Sequence, residues 1–299
     1  MSNSHDTTRS FTVVIPCYNR PDSLYSTLHS LAQINYPAHL WDIIVVDDGS
    51  NEPLESIVKN AELPVPALCL RQRNAGPGAA RNTAAQASTM DYLAFTADDC
   101  TPAPDWLLAL SRSFGHDGLE RALVGGNIHH ALPDRLCPTA SHLLVEHLKS
   151  HMNAKSARFF TPNNLAVHRE SFLEAGGFHA SFGPTGEDRE FCDRWAAQGR
   201  PIAFEPDAVV AHAHPQSLRG FLRQHYSYGI GSARFRALRT QPNTPSIPEP
   251  LSFYVRLVLS PFRSEFRNKA LLTVLLAASQ VANTLGVIRE RLFGKEKRG

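Results

Sequence analysis

Three adjacent acidic pairs, Asp47-Asp48, Asp98-Asp99 and Glu187-Asp188, carry most of the chemistry this sequence can offer. Asp98-Asp99 follows the apolar run Tyr92-Leu-Ala-Phe95. Two carboxylates at the mouth of a buried strand repel each other and need a cation or hydrogen-bond donors to offset them. A hard divalent ion shared with phosphate oxygens meets that need, and so does a plain acidic turn before Thr101-Pro102. Asp47-Asp48-Gly49-Ser50 repeats the arrangement after Trp41-Asp-Ile-Ile-Val-Val46. Carboxylates there can accept from ribose hydroxyls or a base N–H, although Asp-Gly is equally a turn signal. Glu187-Asp188 follows Gly183-Pro-Thr-Gly186 and opens a helical pattern. One of its carboxylates can serve as a general base, or both can simply favour a helix N-terminus. His212-Ala-His214 follows a short strand, so both imidazoles can face one side and reach a metal.

The segments around these residues suggest how they are positioned. Phe11-Thr-Val-Val-Ile-Pro16 reads as a buried strand. Leu24, Leu28 and Leu31 then mark one helical face, with Asp22 as N-cap. Strands are expected at 41–46, 65–70 and 92–95, with a helical stretch at 54–58. The glycine-rich segment Asn74 to Asn82 opens an alanine-rich helix running to Ala87. It has neither GxGxxG nor a Walker lysine, and Pro77 has no N–H, which argues against a dinucleotide fold or a P-loop. Strands alternating with helices imply an α/β fold with a mainly parallel sheet, whose ligands bind beyond the carboxyl ends of the strands. Further on, strands are expected at 123–127, 163–167, 202–204 and 208–211, and helices at 141–151, 171–175, 187–198 and 217–228.

The chain has 299 residues, 42% hydrophobic and 19% charged, which is enough to bury a sizeable core. A net charge of +2 gives no reason to expect nucleic acid. Five widely spaced cysteines without a CxxC indicate reduced thiols, hence a cytosolic protein or one on the inner face of the cytoplasmic membrane. Residues 1–10 are polar, lack a signal-peptide core and are expected to be disordered; four prolines make 240–250 a linker. This leaves a main domain over 11–239 and a helical tail over 251–299. Within the tail, Ala270 to Ile288 is uncharged, with Arg267 and Lys269 before it and Arg289 and Arg291 after it. Thr273, Ser279, Gln280, Asn283 and Thr284 dilute it. A packed or interfacial helix making peripheral membrane contact through 251–292 fits better than a full span.

In order along the chain, Val13-Val-Ile-Pro-Cys-Tyr-Asn19, Val45-Val-Asp-Asp-Gly-Ser50, Asn74-Ala-Gly-Pro-Gly-Ala-Ala-Arg-Asn82, Phe95-Thr-Ala-Asp-Asp-Cys100, Gly186-Glu-Asp-Arg-Glu-Phe-Cys192 and Val209-Val-Ala-His212 resemble the motifs of the family 2 glycosyltransferases. The resemblance covers roughly 11–235. It implies a Rossmann-like GT-A fold, a nucleotide-diphosphate sugar donor, a glycan or lipid-linked acceptor, a divalent metal (Mn or Mg) and inversion at the anomeric carbon. By position, Pro16, Tyr18 and Asp48 hold the nucleotide base, and Asn19, Asp47, Arg81, Asp98 and Glu187 complete the substrate-binding set. Asp99 and His212 are the implied metal ligands, and Asp188 matches the catalytic base. One departure is Ala97, where the family commonly has the first aspartate of a triplet. Two other readings remain: a sugar nucleotidyltransferase, for which Pro16-Cys-Tyr-Asn19 is the wrong loop, and a non-catalytic relative that binds nucleotide or glycan.

Overall fold

The computed structural model describes residues 9–154, 159–179, 182, 185–238 and 249–294. The expected disordered N-terminus and proline-rich linker lie almost wholly outside these residues, as do Gly183 and Pro184. The described residues form two compact units. The first comprises segments within 1–129, 157–181 and 188–212, and the second segments within 130–156, 182–187 and 213–299.

The strands are β1 (Phe11–Cys17), β2 (Trp41–Asp47), β3 (Ala67–Arg71), β4 (Tyr92–Phe95), β5 (Cys100–Pro102), β6 (Leu123–His130), β7 (Leu165–His168) and β8 (Ile202–His212). They form one eight-stranded sheet in the order β3-β2-β1-β4-β7-β6-β8-β5. β1 pairs in parallel with β2 and β4, and β2 with β3, as the alternation of strands and helices predicts. β7 then runs antiparallel to both β4 and β6, and β5 antiparallel to β8, so the sheet is mixed. The two short strands expected at 202–204 and 208–211 are one continuous strand.

Helices α1 (Pro21–Leu31), α2 (Glu55–Asn60), α3 (Pro77–Ala87), α4 (Trp106–Phe114), α6 (Arg169–Glu174) and α7 (Glu187–Ala197) follow their neighbouring strands. α1 begins two residues earlier than Asp22 as N-cap implies. Pro21 takes the first helical position, where its fixed φ is already helical and no N–H is needed, and Asp22 falls in the first turn instead of capping it. α4 is short and buries most of its surface, and the sequence reading does not pick it out. Trp106, Leu107, Ala109, Leu110, Ser111, Ser113 and Phe114 are all buried.

Asn164, fully buried, joins several elements. Its Oδ1 accepts from Trp106 Nε1 at 2.9 Å, and its Nδ2 donates to the carbonyls of Asn127 and Ala208 at 2.8 Å each. Gly125 and Gly126 of β6 make room for this arrangement. A Cβ at Gly126 would lie 2.3 Å from the Ala208 carbonyl, and one at Gly125 would lie 1.9 Å from the Phe160 ring.

In the second unit, α5 (Leu136–Met152), α8 (Leu218–Leu238), α9 (Leu251–Leu259) and α10 (Lys269–Phe293) pack around Ala140, Phe221, Phe253, Leu257, Leu272 and Leu276. α8 and α10 approach backbone to backbone: a Cβ at Gly229 would lie 1.9 Å from the Asn283 carbonyl, and one at Gly286 2.0 Å from that of Tyr226. Beside this crossing, Arg234 Nε donates to the buried Glu290 carboxylate at 2.9 Å.

Candidate active site

Asp98 and Asp99 stand between β4 and β5, and both are buried. The antiparallel register of β5 on β8 sets Cys100 opposite His212. This brings His212 Nε2 within 3.2 Å of Asp99 Oδ1. The ligand atoms of Asp99, Cys100 and His212 all lie within 4.8 Å of one another. Burial, followed by the charge of Asp99, pushes the Cys100 thiol well above its ordinary range. The oxygen and nitrogen donors of the cluster are Asp99 and His212. A hard divalent ion takes one or two carboxylates together with phosphate oxygens, and this pair fits that pattern.

The cation that two adjacent carboxylates demand is present in the chain itself. Arg20 Nη1 donates to Asp98 Oδ1 at 3.2 Å and to Asp99 Oδ2 at 2.7 Å. Burial lowers the Arg20 pKa, but the two carboxylates outweigh it and the guanidinium is held more firmly charged than usual. Asp98 is pushed up by burial first and by Asp99 second, with Arg20 opposing both. Burial, and then Asp98, likewise raises the Cys17 thiol at the end of β1, and that thiol donates to the Arg20 carbonyl at 3.7 Å. Arg20 was absent from the residues picked out in the sequence. The signal that could have found it was the need for a counter-ion, since Arg20 directly follows the loop at the end of β1. Ala97, at the place of the missing aspartate, packs against the apolar core.

Asp47 and Asp48 organise the neighbouring loops. The Asp47 carboxylate accepts from Ser50 N at 2.8 Å, Leu54 N at 3.4 Å and Arg71 Nη1 at 3.0 Å. That of Asp48 accepts from Gln72 Nε2 at 2.8 Å and from the N–H groups of Ala75 and Gly76 at 2.9 Å each, fixing the start of the glycine-rich segment. Asn19 adopts a left-handed backbone, φ 54°. Its N–H donates to Ser50 Oγ at 2.9 Å and its Oδ1 accepts from Asn51 N at 2.8 Å, tying the loops after β1 and β2 together. Pro16 is buried within β1, whereas the Tyr18 ring is 48% exposed at its end.

Asp188 is the second residue of α7, and its Oδ1 accepts from Arg189 N at 2.8 Å. Burial raises its pKa against the opposing charges of Arg81 and Arg189. Arg81 is itself buried, with its guanidinium 5.5 Å from the centre of the Phe178 ring. Glu187, buried, belongs to the second unit. The structure thus brings Asp99 and His212 together, ties Asp98 to Asp99 through Arg20, and sets the charge of Arg81 against Asp188. Asp47, Asp48 and Asn19 hold the loops at the ends of β1 and β2.

Comparison with known proteins agrees with this geometry. The family model "Glycosyl transferase family 2" matches residues 12–174, and "Glycosyl transferase family group 2" matches 103–286. The chain is 33% identical over 246 residues to the pre-mycofactocin glycosyltransferase of Mycobacterium tuberculosis, covering 79% of this chain but only 49% of that relative. It therefore spans about half the length of that protein. It is 28% identical to the succinoglycan biosynthesis protein ExoM of Rhizobium meliloti, over 93% of each chain. Among solved structures, the mannosyltransferase PcManGT of Pyrobaculum calidifontis, in complex with GDP-mannose and Mn2+, superposes with a TM-score of 0.62 at 20% identity, covering 97% of this chain and 81% of that one. Matched over more than half its length by the family's model, the chain belongs to glycosyl transferase family 2.

Proposed function

We propose that the chain is an inverting glycosyltransferase that moves a sugar from a nucleotide-diphosphate donor to an acceptor hydroxyl in cell-surface glycan, polysaccharide or glycolipid synthesis. The reading is carried by the pairing of Asp99 and His212 at the carboxyl ends of β4 and β8, with a contact of 3.2 Å. Support also comes from the family membership and from the nucleotide sugar and Mn2+ held by the fold relative.

In this reading Asp99 and His212 hold a divalent ion, Mn2+ or Mg2+, which when bound supplies the positive charge that a departing diphosphate requires. Asp188 accepts the proton of the acceptor hydroxyl. Its raised pKa makes it a stronger base than an ordinary carboxylate. Tyr18 offers an exposed ring for stacking on the base, and Asp48 with Asn19 keeps the surrounding loops in shape. A single displacement of this kind needs no covalent nucleophile.

The chain acts at a membrane surface in the same reading. On α10, Leu271, Val274, Val281, Leu285, Ile288 and Leu292 are exposed at helical spacing, while Leu272, Leu276, Ser279, Ala282, Gly286 and Glu290 are buried. Leu251, Val255, Leu259 and Phe262 extend the exposed apolar surface, and Arg256, Arg263, Arg267, Lys269, Arg289 and Arg291 lie among and beside them. α10 is apolar enough to span, at mean hydropathy 1.8. One face is already packed on protein, and that face carries the Arg234–Glu290 pair, so the helix lies in the interface rather than crossing the bilayer.

A screen of nucleotide-diphosphate sugars with Mn2+ and Mg2+, followed by NMR of the product's anomeric proton, tests the chemistry. The expected result is transfer from one donor class with inverted configuration. A retained configuration would overturn the single displacement, and donor binding without turnover under any condition would favour the non-catalytic reading. Co-sedimentation with anionic vesicles should be lost when Leu285 and Ile288 are changed to glutamate.

A further inference from the structure

We propose that Arg20 is the resident counter-ion of the carboxylate pair. It holds Asp98 and Asp99 while no divalent ion is bound and must release Asp99 when one enters, which makes metal binding depend on the nucleoside diphosphate. The inference rests on the reading of Asp99 and His212 as metal ligands. One Arg20 nitrogen already contacts both carboxylates, at 3.2 and 2.7 Å. Asp99 is thus shared, with Oδ2 toward Arg20 and Oδ1 toward His212 at 3.2 Å. A divalent ion joining Asp99 and His212 adds two positive charges beside a guanidinium in a buried setting, where repulsion is poorly screened. The ion therefore has to compete with an occupant that the protein carries permanently.

The competitor has a way out. The Arg20 side chain is 38% exposed while the two carboxylates are nearly closed off, so it can leave toward solvent without the buried residues moving. A diphosphate gives it somewhere to go, because a guanidinium fork matches phosphate oxygens in geometry and charge. With a nucleoside diphosphate present, Arg20 exchanges carboxylate oxygens for phosphate oxygens and the carboxylates are freed for the ion. With the ion alone, the lost carboxylate contacts are not exchanged for phosphate contacts. Arg20 is accordingly a positioning residue that couples two ligands, and by linkage the ion must promote diphosphate binding by the factor with which the diphosphate promotes the ion's.

The test is a titration of the full chain with Mn2+, followed by the EPR signal of the free ion, alone and with UDP or GDP. Arg20→Gln removes the competitor. A hydrogen bond between charged groups corresponds to roughly ten- to hundredfold in affinity. The variant should bind Mn2+ alone about that much more tightly than the wild type, and the enhancement by the nucleoside diphosphate should shrink by the same factor. Arg20→Lys, which keeps the charge but loses the fork, should fall between the two, and it serves if Arg20→Gln does not fold. Unchanged or weaker binding of Mn2+ alone by these variants would overturn the proposal while leaving the metal site standing. If no protein binds Mn2+ with or without nucleoside diphosphate, the metal-site reading falls and the proposal with it.

Discussion

Replacing Asp188 by asparagine separates chemistry from stability in a way the structure defines. The two side chains have the same shape, and an amide oxygen can accept from Arg189 N as the carboxylate does at 2.8 Å. What disappears is a negative charge that burial disfavours more than Arg81 and Arg189 favour it, since the net shift of the carboxyl is upward. A group whose folded pKa is raised binds protons more readily folded than unfolded, so its ionised form weakens the fold at neutral pH. Asp188→Asn should therefore leave the melting temperature unchanged or raise it. The same change removes the proposed proton acceptor, which should lower kcat by about two to four orders of magnitude, or roughly 3 to 5 kcal/mol in barrier. The donor KM should change far less than kcat, because Tyr18, Asp99 and His212 are untouched. Steady-state release of nucleoside diphosphate, paired with thermal melts of both proteins, reads out both quantities. If the variant keeps activity within about threefold, Asp188 is not the base. If it loses activity together with about 5 °C or more of melting temperature, its role is structural.

Three further perturbations probe the scaffold. His225 is buried and its pKa is lowered from 6.5 to about 4, so the unfolded chain takes up its proton first as pH falls through that window. The wild type should lose up to about 3 kcal/mol between those limits from this residue, and His225→Gln should flatten the fall in urea midpoint between about pH 7 and about pH 5. Gly286→Ala puts a Cβ 2.0 Å from the Tyr226 carbonyl and should cost about 1–3 kcal/mol by forcing α10 off α8; an unchanged unfolding midpoint would contradict the close crossing. Asn164→Ala leaves Trp106 Nε1 and the carbonyls of Asn127 and Ala208 without their shared partner, and should lower stability by about 3 kcal/mol or more in denaturant titrations.

The parallel half of the fold is legible because β1, β2 and β4 are short apolar runs with a proline or an aspartate pair at or just beyond their ends, signals that are local. The antiparallel half was less so. The sequence splits β8 at Glu205-Pro206-Asp207, because a proline within a run reads as a strand end, whereas the strand continues through it. The acidic pairs stood out through their composition and their place after strands. Their functions divide in a way composition does not report: Asp99 meets His212, while both oxygens of Asp48 accept hydrogen bonds from its own loops. Arg20 and Asn164 were missed for the same reason. Each acts on partners tens of residues away, Asp99 by 79 positions and Trp106 by 58, and nothing local marks such a contact.

The central claim is that Asp98, Asp99 and His212 serve the transfer of a sugar from a nucleotide-diphosphate donor. The most direct measurement is the initial rate of nucleoside diphosphate release from the best donor, with Mn2+ and with a chelator, for the wild type and Asp99→Asn. The account predicts release by the wild type only with the metal, and loss of about two orders of magnitude or more in the variant at any metal concentration. Equal rates for the two proteins, or release by the wild type that the chelator does not affect, would contradict it.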